Sequence, residues 1–340
     1  MDNAKLKTAL HSLLGLGVYV TTAAVLLIAA SFWWMSSEFQ KPLPLSEAAL
    51  VEVERGNGLQ SIATILEAQN IIDNPLVFIG GVRILGWQAG LQAGEYEVPP
   101  NASMRDIARA MKEGKIYRRV VTIPEGRTSF EIVRTLKAHP QLTGDISFTP
   151  PEGSLLPNTY NIKKGETRED LLVRMARAMS DTLDEAWENR APNLPITTKR
   201  EALILASIIE KETGKADERR AVAGVFINRL RKSMPLQTDP TVIYAITKGA
   251  HKNEGKGPLG RRLLRKDLKF PSPYNTYLNA GLTPGPIANP GKASIEAALN
   301  PEAHEYIYFV ADGTGGHIFA KTLKEHNANA ANWRKIRDAK

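Results

Sequence analysis

The sequence predicts an α+β protein that carries one N-terminal transmembrane helix and ends in a helix-rich domain. Three observations lead there. Residues 13–35 form an uncharged apolar run, residues 51–98 mix strand-like alternation with helical spacing, and from Thr167 the apolar residues recur at helical spacing. At about 100–200 residues per domain, 340 residues hold about two globular domains plus accessories. The absence of cysteine removes disulfides, thiolate metal sites and thiol nucleophiles together. Lys and Arg number 44 against 36 Asp and Glu, a net charge of +8 that suits an anionic partner without choosing among nucleic acid, lipid headgroups and an acidic polymer.

The run from Leu13 to Met35 has 23 residues. As a helix it spans about 35 Å, enough to cross a hydrocarbon core of about 30 Å with some tilt. Phe32, Trp33 and Trp34 stand at its far end, where amphipathic rings suit the interface, and Lys5 and Lys7 precede it. The positive-inside rule then keeps a tail of residues 1–12 cytoplasmic and exports residues 36 onward. A cleaved signal peptide, cut near Ala29-Ala30-Ser31, is the competing reading, although the run is long for a signal core. Either way the rest is exported, which argues against nucleic acid as its main partner. The exported part lacks G-x-x-x-x-G-K-[ST], H-E-x-x-H and G-x-S-x-G. His251, His304, His317 and His326 form no ligand-spaced pair and read as ordinary histidines, so no metal or cofactor is called for. Carboxylate chemistry remains, or no catalysis at all.

Residues 36–50, with Pro42 and Pro44, read as a short linker. Val51 to Leu59 alternates and turns at glycine, as a strand and turn do. Leu59, Ile62, Ala63 and Leu66 follow at helical spacing, Asn74-Pro75 starts a second helix, and Gly94 to Val98 is a second strand. The unit is β-α-α-β, within a module over 51–120. The pattern Val53-x-x-Gly56, Ile62, Leu66 recurs as Ile123-x-x-Gly126, Ile132, Leu136, at an offset that chance and duplication explain equally. Residues 121–165 read as a connecting α/β segment and 166–340 as the C-terminal domain. Leu172, Met175, Met179, Leu183 and Trp187 share one helix face, and Thr197 or Thr198 with Glu201 suits a capping box.

Ala202 to Ile209 is apolar almost all round, so its helix is buried. Glu210 follows directly, close to the side of Ile209 and over Ala206, whose small side chain would leave room for a substrate. A partly desolvated carboxylate there would suit a general acid. Glu212 is rotated about 200° away, so it faces another surface and is expected to be dispensable. A solvated helix end over Glu210-Lys211-Glu212 is the alternative. Ser272 to Tyr277 and Gly281 to Gly291 combine rings, amides and fixed turns, which suit either a sugar groove or rigid turns.

These segments together resemble the endolytic murein transglycosylases of the YceG-like family. The resemblance rests on Ala206-Ser-Ile-Ile-Glu210-Lys-Glu-Thr, Val225-Phe-Ile-Asn-Arg-Leu230, Leu236-Gln-Thr-Asp-Pro-Thr-Val242, Ser272-Pro-Tyr-Asn-Thr-Tyr277, Gly281-Leu-x-Pro-Gly-x-Ile287 and Tyr308-Phe-Val-Ala-Asp312. It covers about residues 45–330. Leu156 and Asn158 depart from it, where the family usually has an aromatic and Asp.

The resemblance implies a LysM-like module over residues 51–120 and a lytic transglycosylase-like catalytic domain over 166–340. It implies cleavage of the MurNAc-β-1,4-GlcNAc bond within peptidoglycan strands, leaving 1,6-anhydro ends. Glu210 is the implied catalytic residue, and Asn228, Gln237, Asp239, Tyr274 and Asn275 are candidate groove residues. No cofactor is implied. The expected location is the inner membrane, single-pass, with the catalytic domain periplasmic. The partners are peptidoglycan and the membrane, with cell wall synthases as candidates and no nucleic acid. The basic stretch Lys252 to Lys269 reads as a solvated loop or as a contact for anionic groups. The rival to an enzyme is a membrane-anchored, non-catalytic peptidoglycan-binding scaffold.

Overall fold

The computed structural model describes residues 3–250 and 259–338; His251 and the first part of the basic stretch lie outside the described residues. Two compact units, Met1–Arg118 and Arg119–Lys340, make up the chain.

The first unit opens with α1 (Asn3–Gln40). Its part from Leu16 to Gln40 is 25 residues long with a mean hydropathy of 1.9. The apolar side chains there are bare, Leu27 at 69% and Trp33 at 72% exposure, as lipid-facing residues are. The helix is therefore compatible with a single-pass anchor. It also runs into the segment read as a linker, because Phe39 and, just beyond the helix, Leu43 have a core to join.

That core belongs to β1 (Ala49–Val53), α2 (Leu59–Ala68), α3 (Pro75–Ile84), β2 (Gly94–Val98) and α4 (Met104–Glu113). The strands pair antiparallel, with Val51 opposite Tyr96, and send Val51, Val53, Tyr96 and Val98 inward at the period of two that a half-buried strand requires. Asn74 accepts from the N–H groups of Leu76 and Val77, so α3 starts at Pro75. Ser103 and Asp106 form a capping box on α4. The β-α-α-β order expected from the spacing is present.

In the second unit β3 (Val120–Thr122) pairs antiparallel with β4 (Thr159–Asn161). They pack with α5 (Ser129–Ala138) and the start of α6 (Arg168–Glu188) over Ile132, Leu136, Leu155 and Leu171. The recurrence seen in the sequence has a structural counterpart. α2 and α5 are both ten residues long, and Gly56 and Gly126 ahead of them both take left-handed φ, +94° and +71°. The rest is helical: α7 (Lys199–Glu212), α8 (Arg219–Arg231), α9 (Asp239–Thr247) and α10 (Lys292–Leu299), then the hairpin β5 (Tyr308–Ala311) and β6 (His317–Ala320), and α11 (Leu323–Asp338).

α7 is the axis of this unit. Ala202, Leu205, Ala206, Ile208 and Ile209 are fully buried in a cluster with Val222 and Phe226 of α8 and Ile295 and Ala298 of α10. Leu183 and Trp187 of α6 pack partly buried against it. Thr198 accepts from the N–H of Glu201, whose carboxylate accepts the N–H of Thr198 in return. Thr198→Ala removes this cap, and a loss of about 1 kcal/mol is expected in denaturant titration of the detergent-solubilised chain.

Candidate active site

Glu210 emerges where the buried spine of α7 ends, and it is half-buried. Ala206 is itself wholly within the core, so the space beside the carboxylate does not lie over that residue as the spacing suggested. It is bounded by two loops brought in from elsewhere. The N–H of Gly291, at the start of α10, donates to Glu210 Oε2 at 3.0 Å. Gly126 comes from the turn before α5. A Cβ there would sit 3.4 Å from Glu210 Cγ, and Lys211 Nζ donates to its carbonyl at 3.1 Å.

The second loop also delivers Glu125, which sequence reasoning missed. A Cβ on Gly291 would fall 1.8 Å from Glu125 Oε1, so only glycine fits between this carboxylate and the α10 start. Glu125 and Glu210 thus border the same glycine. Burial, and after it the negative charge of Glu210, push the Glu125 carboxyl above its ordinary value, while Arg219 at 3.5 Å opposes the shift. Arg219 also lines a cleft of about 570 Å³ with Ala216, Lys292 and Glu296. The Gly126 turn, matched to Gly56, is visible in the sequence, but nothing local marks the Glu125 before it as facing Glu210.

Asn289 holds the loops together. Its Nδ2 lies 3.0 Å from the Arg127 carbonyl, 3.1 Å from Ser129 Oγ and 3.1 Å from Glu152 Oε1, and its Oδ1 accepts the Leu155 N–H at 2.9 Å. The Gly126 N–H donates to the Asn289 carbonyl. Glu152 also accepts the Ser129 N–H at 2.8 Å.

Glu212 faces away from Glu210, as the helix rotation requires, but it is not a solvated helix end. It accepts a hydrogen bond from Thr238 Oγ1 and lines a cavity of about 580 Å³ with Arg229, Gln237, Asp239, Tyr277 and Tyr308. Burial raises its carboxyl above the ordinary value, with Asp239 adding to the shift and Thr238, His317 and Arg229 opposing it. Its expected dispensability has no support in this environment.

The groove candidates divide accordingly. Gln237 and Asp239 border the Glu212 cavity; Asp239 Oδ1 accepts from the Tyr277 hydroxyl at 2.7 Å, and Gln237 holds φ +51°. Asn228 Nδ2 donates to the carbonyls of His304 and Tyr306 at 2.7 and 3.0 Å. Asn275 is fully buried and donates to the carbonyls of Leu268 and Phe270. Tyr274 packs its ring 5.1 Å from that of Tyr244, with Lys248 over its face. Gly126, Glu125 and Gly291 are seen to touch or border Glu210, and none of them is among these five. In the basic stretch, Arg261 is paired with Asp267.

Burial is also the main cause that lifts the Glu152 carboxyl above its ordinary value. The folded chain then holds this proton more tightly than the unfolded chain does. Its contribution to stability therefore falls as pH rises from the ordinary glutamate value through the raised one. Glu152→Gln is expected to flatten that decline in unfolding free energies measured across the weakly acidic range, while Gln still accepts the Ser129 N–H.

Residues 51–332 match the model of the YceG-like family. The chain is 33% identical over 308 residues to the endolytic murein transglycosylase of Bacillus subtilis strain 168, covering 82% of each. It is 30% identical over 333 residues to the protein of the same name from Streptococcus pneumoniae D39, covering 83% of this chain and 57% of that one. A crystal structure of a yceG-like protein from Listeria monocytogenes aligns at 34% identity over 83% of this chain and 99% of that one, with a TM-score of 0.48. With residues 51–332 inside the family match and 33% identity to a relative over 82% of each chain, this chain belongs to the YceG-like family.

Proposed function

We propose that this protein is an endolytic peptidoglycan lytic transglycosylase that cuts the MurNAc-β-1,4-GlcNAc bond within glycan strands. The observation that carries the reading is the Glu210 carboxylate, held by the Gly291 N–H at the end of a buried helix and bordered by a second carboxylate, in a chain of this family. Glu210 in its acid form protonates the leaving O4 of GlcNAc as the C1–O4 bond breaks. The resulting carboxylate takes the proton of the MurNAc C6 hydroxyl, whose oxygen closes on C1. The product end is 1,6-anhydro-MurNAc, and no water is consumed. Positive charge develops on the sugar ring in between, beside the carboxylate that Glu210 has become, with Glu125 bordering the same glycine.

Residues 51–120 serve in this reading as a LysM-like grip on the glycan, and 166–340 as the catalytic domain. The Lys5/Lys7 bias ahead of the apolar run supports an orientation in which residues 36 onward lie on the far side of the inner membrane, where the enzyme trims or terminates nascent strands beside cell wall synthases. A reporter fused after Lys340 is expected to work only if it is of a kind active after export; activity of a strictly cytoplasmic reporter would refute this orientation.

The pairing of Glu125 with Glu210 supports a second reading, a hydrolase that uses two carboxylates and water. Product ends separate the two. Glu210→Gln keeps size and shape but moves no proton, and general acid–base assistance is typically worth about 10²–10⁴-fold, so a loss of at least the upper part of that range is expected on uncrosslinked strands. Mass spectrometry of the wild-type products is expected to find anhydro ends, lighter by one water than reducing ends. Reducing ends would make the enzyme a hydrolase. Near-normal cleavage by Glu210→Gln would remove Glu210 from the chemistry, and no cleavage by the wild type would favour the non-catalytic scaffold.

A further inference from the structure

The first unit contains a cavity that the glycan chemistry does not use. It lies where α1, α3 and α4 meet, encloses about 200 Å³, and is lined by Phe32, Met35, Phe39, Ile84 and Leu85 with a single charged side chain, Arg105. Arg105 Nη1 donates to Gln40 Oε1 at 2.9 Å, but its Nε is buried without any partner. An unpaired buried guanidinium N–H is costly, and a guanidinium fork matches phosphate oxygens. The acids nearby are already engaged: Glu38 pairs with Lys41, and Asp106 bonds Ser103 and lies 3.6 Å from Arg109.

The position of the cavity along α1 narrows the ligand. Trp33 and Trp34 suit the boundary between hydrocarbon and headgroups. At 1.5 Å per residue, Gln40 stands about 9 Å beyond Trp34 on an upright helix, at the outer edge of a headgroup layer about 5–8 Å deep, and the cavity that Arg105 lines reaches from there down to Met35 and Phe32, so it spans the level of lipid phosphates. The wall below it is apolar and opens toward bare surface, with Phe32 52% and Ile84 50% exposed. This wall is continuous with the exposed apolar face of α1. Close packing keeps the geometry in place. A Cβ on Gly81 would fall 2.5 Å from the Phe39 ring and one on Gly80 2.6 Å from Met35 Sδ, so α3 lies directly on the end of the membrane helix.

We propose that this cavity binds an anionic phospholipid, its phosphate on Arg105 and the start of its acyl chains along Phe32, Met35 and Ile84. A soluble anion would gain the guanidinium but not the apolar wall. The site needs α1 to lie in a bilayer and is independent of the chemistry at Glu210.

The test uses the full chain reconstituted in nanodiscs of phosphatidylglycerol and phosphatidylcholine in equal parts. After extraction into detergent, native mass spectrometry counts the lipids retained. The wild type is expected to keep phosphatidylglycerol in preference to phosphatidylcholine. Arg105→Gln is expected to lower that retention about fivefold, the worth of one basic side chain near an anionic surface. Ser36 also lines the cavity, so Ser36→Leu fills it, leaves the charge in place, and is expected to lower retention as well, which keeps the proposal testable should Arg105→Gln misfold. Arg83→Gln, an exposed arginine outside the cavity, is expected to stay close to the wild type. Wild-type retention in a folded Arg105→Gln or Ser36→Leu variant, an equal loss in Arg83→Gln, or equal retention of phosphatidylcholine overturns the site.

Discussion

The side-chain amide of Asn289, fully buried, joins three stretches of chain that are far apart in sequence: the turn before α5, the loop around Glu152 and Leu155, and the approach to α10. Everything that borders Glu210 hangs from this junction. Gly291 is two residues beyond Asn289, and Glu125 and Gly126 sit just before Arg127, whose carbonyl the amide binds. A buried amide is stable only when its donors and acceptor are satisfied, and here the partners lie on two other segments, Arg127 and Ser129 on one and Glu152 and Leu155 on the other. The loops are therefore fixed relative to α7 without a disulfide or a metal, in a chain that has no cysteine.

The same physics explains why several polar residues in the conspicuous motifs serve the framework. Asn228, Asn275 and Arg229 bind backbone carbonyls of irregular segments, which have no ladder or helix to satisfy them. Arg229 alone reaches the carbonyls of Ile307, Pro235 and Leu236. A motif of amides and rings is thus compatible with a groove and with its scaffolding, and only the partner of each amide tells them apart.

In the first unit the apolar helix α1 does not simply end after Trp33 and Trp34. Phe39 and Leu43 carry it into the core of the β-α-α-β module, and two adjacent glycines in α3 admit the close approach. The attachment of this module to α1 is a packed interface, so its distance from the apolar run is set by helix geometry and not by a flexible tether.

Much of this was legible in the sequence because it depends on local periodicity. The apolar run of α1, the strand alternation at Val51 and Val53, the Thr198–Glu201 capping box and the all-apolar face of α7 each need only neighbours within a turn or two. Glu210 could be singled out because its place at the end of a buried helix follows from rotation alone. The opposite face at Glu212 followed too, but not the buried polar cavity that receives it, since Thr238, Tyr277 and Tyr308 come from other elements. Glu125 was illegible for the same reason. It is an ordinary acid in a turn until Asn289 folds the α10 approach against it, some 160 residues away. Sequence spacing determines which face a side chain takes on its own helix; what that face meets is decided by long-range packing, where no local period carries the information.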